Sequence, residues 1–169
     1  GAPVFAPYKI FTYGDTKVAF VGVVTPESFT KSTPAYFQDG NGNYIYGFCE
    51  DESGQQLYAQ VQSAIDSARG EGAAYVVVVG LMGENGSTDR WTSDSVIKNT
   101  TGADAFIDGH SHEEYSKYVQ NKDGKDVLLT QTGTKLKNIG KLTIRTDGSM
   151  GAELISQVPA GTGSGSYQV

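Results

Sequence analysis

Between Tyr8 and Tyr13 apolar and polar side chains alternate, and after the turn signal Gly14-Asp15 the run Lys17–Val24, KVAFVGVV, is almost continuously apolar. Alternation predicts a strand with one face on a core, and a short unbroken apolar run predicts a strand covered on both faces. Pro26 closes this hairpin. From Glu27 to Ser53 no period of 3.6 emerges; a turn-rich Asp39-Gly40-Asn41-Gly42-Asn43 precedes the β-prone YIYGF, so a long loop with a small hairpin is expected. Leu57, Val61, Ala64, Ile65 and Ala68 then recur at spacings of three and four, which places them on one face of a helix ended by Gly70 and Gly72.

Ala74–Val79, AYVVVV, predicts a second buried strand, followed by the polar, glycine-rich loop Gly80–Asp89. A short helix is expected from Thr92-Ser93-Asp94 to about Asn99, with Ser or Thr as its N-cap. Ala105–Asp108 reads as a short strand, and Gly109–Glu114 as the loop at its C-terminal end. Strands are expected over Tyr115–Gln120, Val127–Gln131, Lys141–Thr146 and Gly151–Ser156, the first two joined by the turn Asn121-Lys122-Asp123-Gly124. The order predicts an α/β layered domain over residues 1–156, a mixed sheet with an antiparallel C-terminal wing. Residues 157–169 have the glycine- and serine-rich composition of a flexible linker. Ligands of α/β proteins gather at loops following strand C-termini, which singles out the loops opening at Gly80 and Gly109.

Composition narrows the function classes. A chain of 169 residues with 38% hydrophobic side chains can bury one core. Its net charge of −6 argues against nucleic acid or an anionic membrane as the main partner, because both select a basic face. No apolar run reaches the roughly 18 residues of a membrane span. The single cysteine, Cys49, excludes an internal disulfide and reads as a small buried residue rather than a nucleophile. With no initiator methionine, the chain is expected to be processed, cloned out of a larger protein, or engineered. There is no G-x-S-x-G elbow, phosphate-binding loop or dinucleotide fingerprint.

The two histidines both fall in Asp108-Gly109-His110-Ser111-His112. If the segment stays extended, His110 and His112 aim at one point, and neutral imidazoles suit zinc, manganese, iron or nickel. Two ligands make an incomplete site, to which Asp108, Glu113 and Glu114 are candidate additional or supporting groups. Taken alone, such a pair more often marks a polar loop with two exposed histidines than a metal site. Lys31 in TKSTP is a candidate phosphate contact or simply a solvated lysine.

DAFIDGHSHEE followed by NKDGKDVLLTQTGTKLKNIGKLTI resembles the segment that closes the catalytic domain of the 5'-nucleotidase and 2',3'-cyclic phosphodiesterase family, which is similar to calcineurin-type metallophosphoesterases. YKIFTYGDTKVAFVGVVTPESF, KSTPAYF, YVVVVG and DRWTSDSVIKNTTGAD extend the likeness, in order, to about Ile155. The resemblance implies a two-metal hydrolase of nucleotides or phosphate esters, with His110 and His112 as ligands, one to each divalent ion, zinc or manganese. It places Gln131, Thr132, Gly133 and Thr134 in a loop near the phosphate, although QTGT also reads as a plain turn. It further implies an extracytoplasmic bacterial location.

Two departures qualify this reading. Gly80-Leu81-Met82-Gly83 stands where the family carries G-H-L-G, so Leu81 replaces a histidine ligand, and both Leu81 and Met82 are expected to pack. The family's earlier D-x-H, G-D and N-H-E motifs do not occur, so only the C-terminal half of a catalytic domain is expected, weakly active or inactive by itself. The alternatives are a non-catalytic scaffold or interaction module keeping at most one metal, or none, and a hydrolase running on one metal. Removal of the other half would expose apolar strand surface, so self-association or a complementing N-terminal half is the expected partner.

Overall fold

The computed structural model describes residues 5–156; the linker expected over 157–169 lies outside them. The central sheet has six strands in the order β1-β2-β3-β4-β6-β5. These are β1 (Tyr8–Tyr13), β2 (Thr16–Val24), β3 (Tyr75–Leu81), β4 (Ala105–Asp108), β5 (Glu114–Gln120) and β6 (Asp126–Thr132). β2, β3, β4 and β6 are mutually parallel, and β1 and β5 close the edges antiparallel. β7 (Asn138–Ile144) and β8 (Met150–Ser156) form a separate antiparallel pair.

The expected mixed sheet and antiparallel wing are both present, with one redistribution. The hairpin of β5 and β6 belongs to the main sheet, because β6 pairs with β4, and only β7 and β8 form the wing. The predicted Lys141–Thr146 strand is displaced toward the N-terminus, since pairing with β8 starts at Asn138 and ends at Ile144. The expected hairpin at Tyr44–Phe48 is reduced to a single bridge between Gln38 and Tyr44. Asp39 explains the difference: its carboxylate accepts the Asn41 and Asn43 amides, both at 2.9 Å, and so turns the chain without a ladder. The preceding stretch folds into α1 (Ser28–Lys31) and a 3-10 turn at Pro34–Phe37, neither of which has a legible period at four residues each.

α2 (Gln55–Gly70) and α3 (Ser93–Asn99) cover one face of the sheet. Leu57, Val61, Ala64, Ile65 and Ala68 are all buried there, against Ala19, Val21, Val76, Val78 and Phe106. Asp51 accepts the Gln55 and Gln56 amides at the start of α2, at 3.1 and 3.2 Å, in place of a side chain at the Gly54 cap. Thr92 caps α3 as the sequence predicts, accepting the Ser95 amide at 3.3 Å.

The other face is covered only in part. Val18, Val77, Ala105 and Leu128 are buried against Leu142, Ile144, Met150 and Ala152 of the wing. Toward the C-terminal ends of the strands this cover stops, and Val24, Val79 and Leu81 are 41%, 44% and 46% exposed. A groove of about 650 Å³ lined by Phe20, Val77, Ile107 and Leu142 lies on this same face. Gly80 shows how tight the covered face is: a Cβ there would overlap the Phe106 ring and meet Val23 Cγ1 at 3.3 Å. Gly80→Ala is therefore expected to cost about 1–3 kcal/mol by overpacking, read as a lower urea midpoint.

Candidate metal-donor site

β4 ends at Asp108, and the chain then turns sharply through Gly109 and His110-Ser111-His112 before entering β5. The segment is not extended. His110 and His112 have φ of 80° and 61°, left-handed values that non-glycine residues rarely adopt. His110 and His112 are therefore not alternate residues of an extended stretch facing one point: each takes its direction from its own kink. His110 turns inward and His112 is exposed.

Three buried groups hold this turn. Asp108 is 7% exposed, and its two oxygens accept the amides of Met82 at 2.9 Å and Gly83 at 3.0 Å. Its carboxylate is therefore committed to the loop that follows β3, and it ties the two candidate ligand loops together. Gln131, at 1% exposed, accepts the Glu113 amide at 2.7 Å and donates to the Ser111 hydroxyl at 3.1 Å. It acts as a strut beneath the turn. Tyr115 lies beside it, its phenol pushed up to about 12 by burial and then by the Asp108 charge.

The third group is Glu27, which the sequence reading did not single out. Its side chain is wholly buried; its carboxylate accepts from Lys31 Nζ at 2.7 Å and from the Ser87 backbone amide, and lies within hydrogen-bond distance, 3.0 Å, of His110 Nε2. Lys31 is therefore engaged with Glu27 rather than free for a phosphate. Burial pushes Glu27 upward, but hydrogen bonds from Lys31, Ser87 and His110 outweigh it and hold its pKa down at about 2. A carboxyl group depressed in the folded state stabilises above its unfolded value, near 4.3, and loses that contribution as pH falls toward 2. In metal-free protein, the stability difference between wild type and Glu27→Gln is expected to shrink between about pH 4.5 and pH 2, by on the order of 2–3 kcal/mol. Urea titrations at stepped pH measure it.

The remaining candidates sit close by in sequence but face elsewhere. Glu113 is exposed, and its carbonyl accepts the Gly133 amide at 2.8 Å. Glu114 is exposed and paired with Lys137 at 2.7 Å. Glu114 is the register partner of Thr132, so the QTGT segment does lie beside the histidine turn. Gly133, at φ 82°, makes the bend after Thr132, and Thr134 is exposed beyond it. Met82 is fully buried, as expected, whereas Leu81 is 46% exposed and does not pack into the core. The reason is its direction: Leu81 lies on the sheet face that the wing leaves bare, with its Cδ1 beside Gly109.

A divalent metal needs three or more converging donors for a stable site. Among the described residues no three of His, Cys, Asp and Glu converge on one point. The donor chemistry of His110 suits a metal, but the described residues do not make a complete centre.

No protein-family model matches the chain, and no curated protein sequence matches it. Solved structures do match. SoxB, a sulfate thiohydrolase of Thermus thermophilus, superposes with a TM-score of 0.69 and 22% identity, over 92% of this chain and 26% of its own. The NAD nucleotidase NadN of Haemophilus influenzae gives 0.58 and 17%, over 87% of this chain and 29% of its own. A protein of Staphylococcus aureus assigned as a 5'-nucleotidase gives 0.56 and 17%, over 95% and 31%. At these identities the likeness shows the fold: this is the α/β architecture of one portion of nucleotidase and thiohydrolase structures. The chain spans between a quarter and a third of their length, 26–31%.

Proposed function

We propose that this chain is the C-terminal part of a catalytic domain of the 5'-nucleotidase type, within the metallophosphoesterases. In this reading it supplies His110 and His112 to a divalent-metal centre, zinc or manganese, whose other ligands come from outside residues 5–156. The observation that carries the reading is the placement of the His110-Ser111-His112 turn. It sits at the C-terminal end of a parallel strand, bonded to the loop after β3, in a fold shared with nucleotidases. A bound metal would polarise a phosphate ester and activate water. The chain's own part is to orient His110 through Glu27, to brace the turn through Asp108 and Gln131, and to place the Thr132-Gly133-Thr134 bend alongside.

Nucleotides or phosphate esters are the proposed substrates of the whole protein, in an extracytoplasmic bacterial setting. The uncovered sheet face is the proposed seat of the rest of the domain. That no three donors converge among the described residues, together with the exposed Leu81, supports a second reading, in which this chain alone is a scaffold without hydrolase activity.

Titration of the purified chain with zinc and with manganese, beside the His110→Ala/His112→Ala double variant, separates the two. The first reading expects histidine-dependent binding weaker than in three- or four-ligand sites, with little turnover of nucleoside monophosphates or cyclic phosphates. Binding that survives the double substitution would remove the metal-donor role.

A further inference from the structure

Glu27 and His110 are 83 positions apart in sequence and meet inside the fold. The two oxygens of this buried carboxylate have different clients. Oε1 accepts the Ser87 amide, and Oε2 accepts Lys31 Nζ at 2.7 Å and lies 3.0 Å from His110 Nε2. An ionised carboxylate has acceptors only, so a ring nitrogen at that distance must carry the proton. Two bare lone pairs facing each other would repel. The opposite ring nitrogen, Nδ1, meets no protein partner among the described hydrogen bonds. No buried side-chain polar atom lacks a partner among the described residues, so Nδ1 opens to solvent. His110 Cδ2 lies toward Gly83, where a Cβ would approach it at 3.3 Å, which fixes the ring edge that faces inward.

We infer that Glu27 is a positioning residue that locks His110 in the Nε2–H tautomer and leaves the Nδ1 lone pair as the outward-facing donor of the site. The inference rests on the reading of His110 as a donor and adds which atom donates and what sets it. The His110 backbone is left-handed, at φ 80°, where its side chain turns in to the buried carboxylate. A carboxylate or carbonyl behind the imidazole is the usual means of fixing a donor's tautomer and orientation.

Glu27→Gln makes a sharp test, because an amide has only one acceptor oxygen. The Ser87 backbone amide is fixed, whereas the 56% exposed Lys31 side chain can turn into solvent, so the amide oxygen is expected to stay with Ser87 and the NH2 group to face His110. Nε2 must then accept, and the proton moves to Nδ1. Side-chain ¹⁵N spectra of the metal-free chain, recorded near pH 9 where free imidazole is neutral, read the tautomer directly. Wild type is expected to show Nε2 protonated, and Glu27→Gln to show Nδ1 protonated. Glu27→Asp, which keeps a carboxylate on a shorter stem, should restore a majority of the Nε2–H form. Circular dichroism of each variant, run in parallel, confirms a folded chain.

A purely structural Glu27 would change the melting temperature and leave the tautomer where it was. Wild type with Nδ1 protonated, or a folded Glu27→Gln that keeps Nε2–H, would overturn the inference. Zinc titration of the same samples reads the donor role separately. The expected result is histidine-dependent zinc binding in wild type that weakens at least tenfold in Glu27→Gln. A tautomer that switches as expected, without any zinc binding in wild type, would sink the metal reading and leave the positioning role standing.

Discussion

Asp108→Ala is expected to destabilise the domain by about 3–4 kcal/mol, the largest effect of any single substitution around the histidine turn. Asp108 is almost fully buried, and each of its oxygens satisfies one backbone amide, Met82 at 2.9 Å and Gly83 at 3.0 Å. Truncation strands both amides in a place where water has little access. Each hydrogen bond to a charged group contributes about 1.5–3 kcal/mol, and the relief of one buried charge offsets part of the loss. Urea unfolding should show a lower midpoint at an unchanged slope, the mark of lost stability rather than an altered denatured state. Asp108→Asn keeps one acceptor and should lose roughly half as much. The Asp108 charge also helps to hold the Tyr115 phenol up, so the alanine variant should titrate that phenol at lower pH. A loss below about 0.5 kcal/mol would mean that the Met82 and Gly83 amides find other acceptors, and the bracing role would be withdrawn.

Leu81→His should raise zinc affinity by at least tenfold over the parent chain. Leu81 closes β3 on the face that the wing leaves bare, and its Cδ1 lies beside Gly109, one residue before His110. An imidazole placed there adds a donor beside His110, which cannot form a stable site alone. The substitution should cost under about 1 kcal/mol in folding, because 46% of Leu81 is already exposed and its methyls fill no core cavity. Calorimetric titration of Leu81→His, and of Leu81→His combined with His110→Ala, provides the contrast. Affinity gained in the single variant and lost in the double one would place position 81 at the site. Unchanged affinity would mean that residue 81 points away from the histidine turn.

Much of this molecule follows from local pattern. The three-and-four spacing from Leu57 to Ala68 has one structural solution, and all five residues are buried on one side of α2. The apolar runs at Lys17–Val24 and Ala74–Val79 become the central strands β2 and β3, since short β-branched runs bury most readily in a parallel sheet. The Thr92 cap and the turn at Asn121–Gly124 follow from side-chain chemistry acting over a few residues. The histidine turn was legible as a candidate because both imidazoles of the chain fall within three residues.

Tertiary structure alone decided the rest. Strand order is a matter of long-range pairing, so nothing local announces that β6 lies between β4 and β5. The left-handed backbone at His110 and His112 breaks the extended path that the local pattern suggested, and the His110 side chain meets a partner 83 positions away. Glu27 looked like one more acid after a proline, in a stretch with no period. Only the fold buries it, and a buried carboxylate must find donors wherever they lie, here at Lys31, Ser87 and His110. Asp108 was visible as an acid beside two histidines, but its clients are backbone amides 25 and 26 positions away, a pairing that no side-chain pattern encodes. Sequence periodicity fixes which face of each element is apolar. Which polar groups end up buried together depends on how those faces are stacked, and there the need to satisfy each buried charge selects the partner.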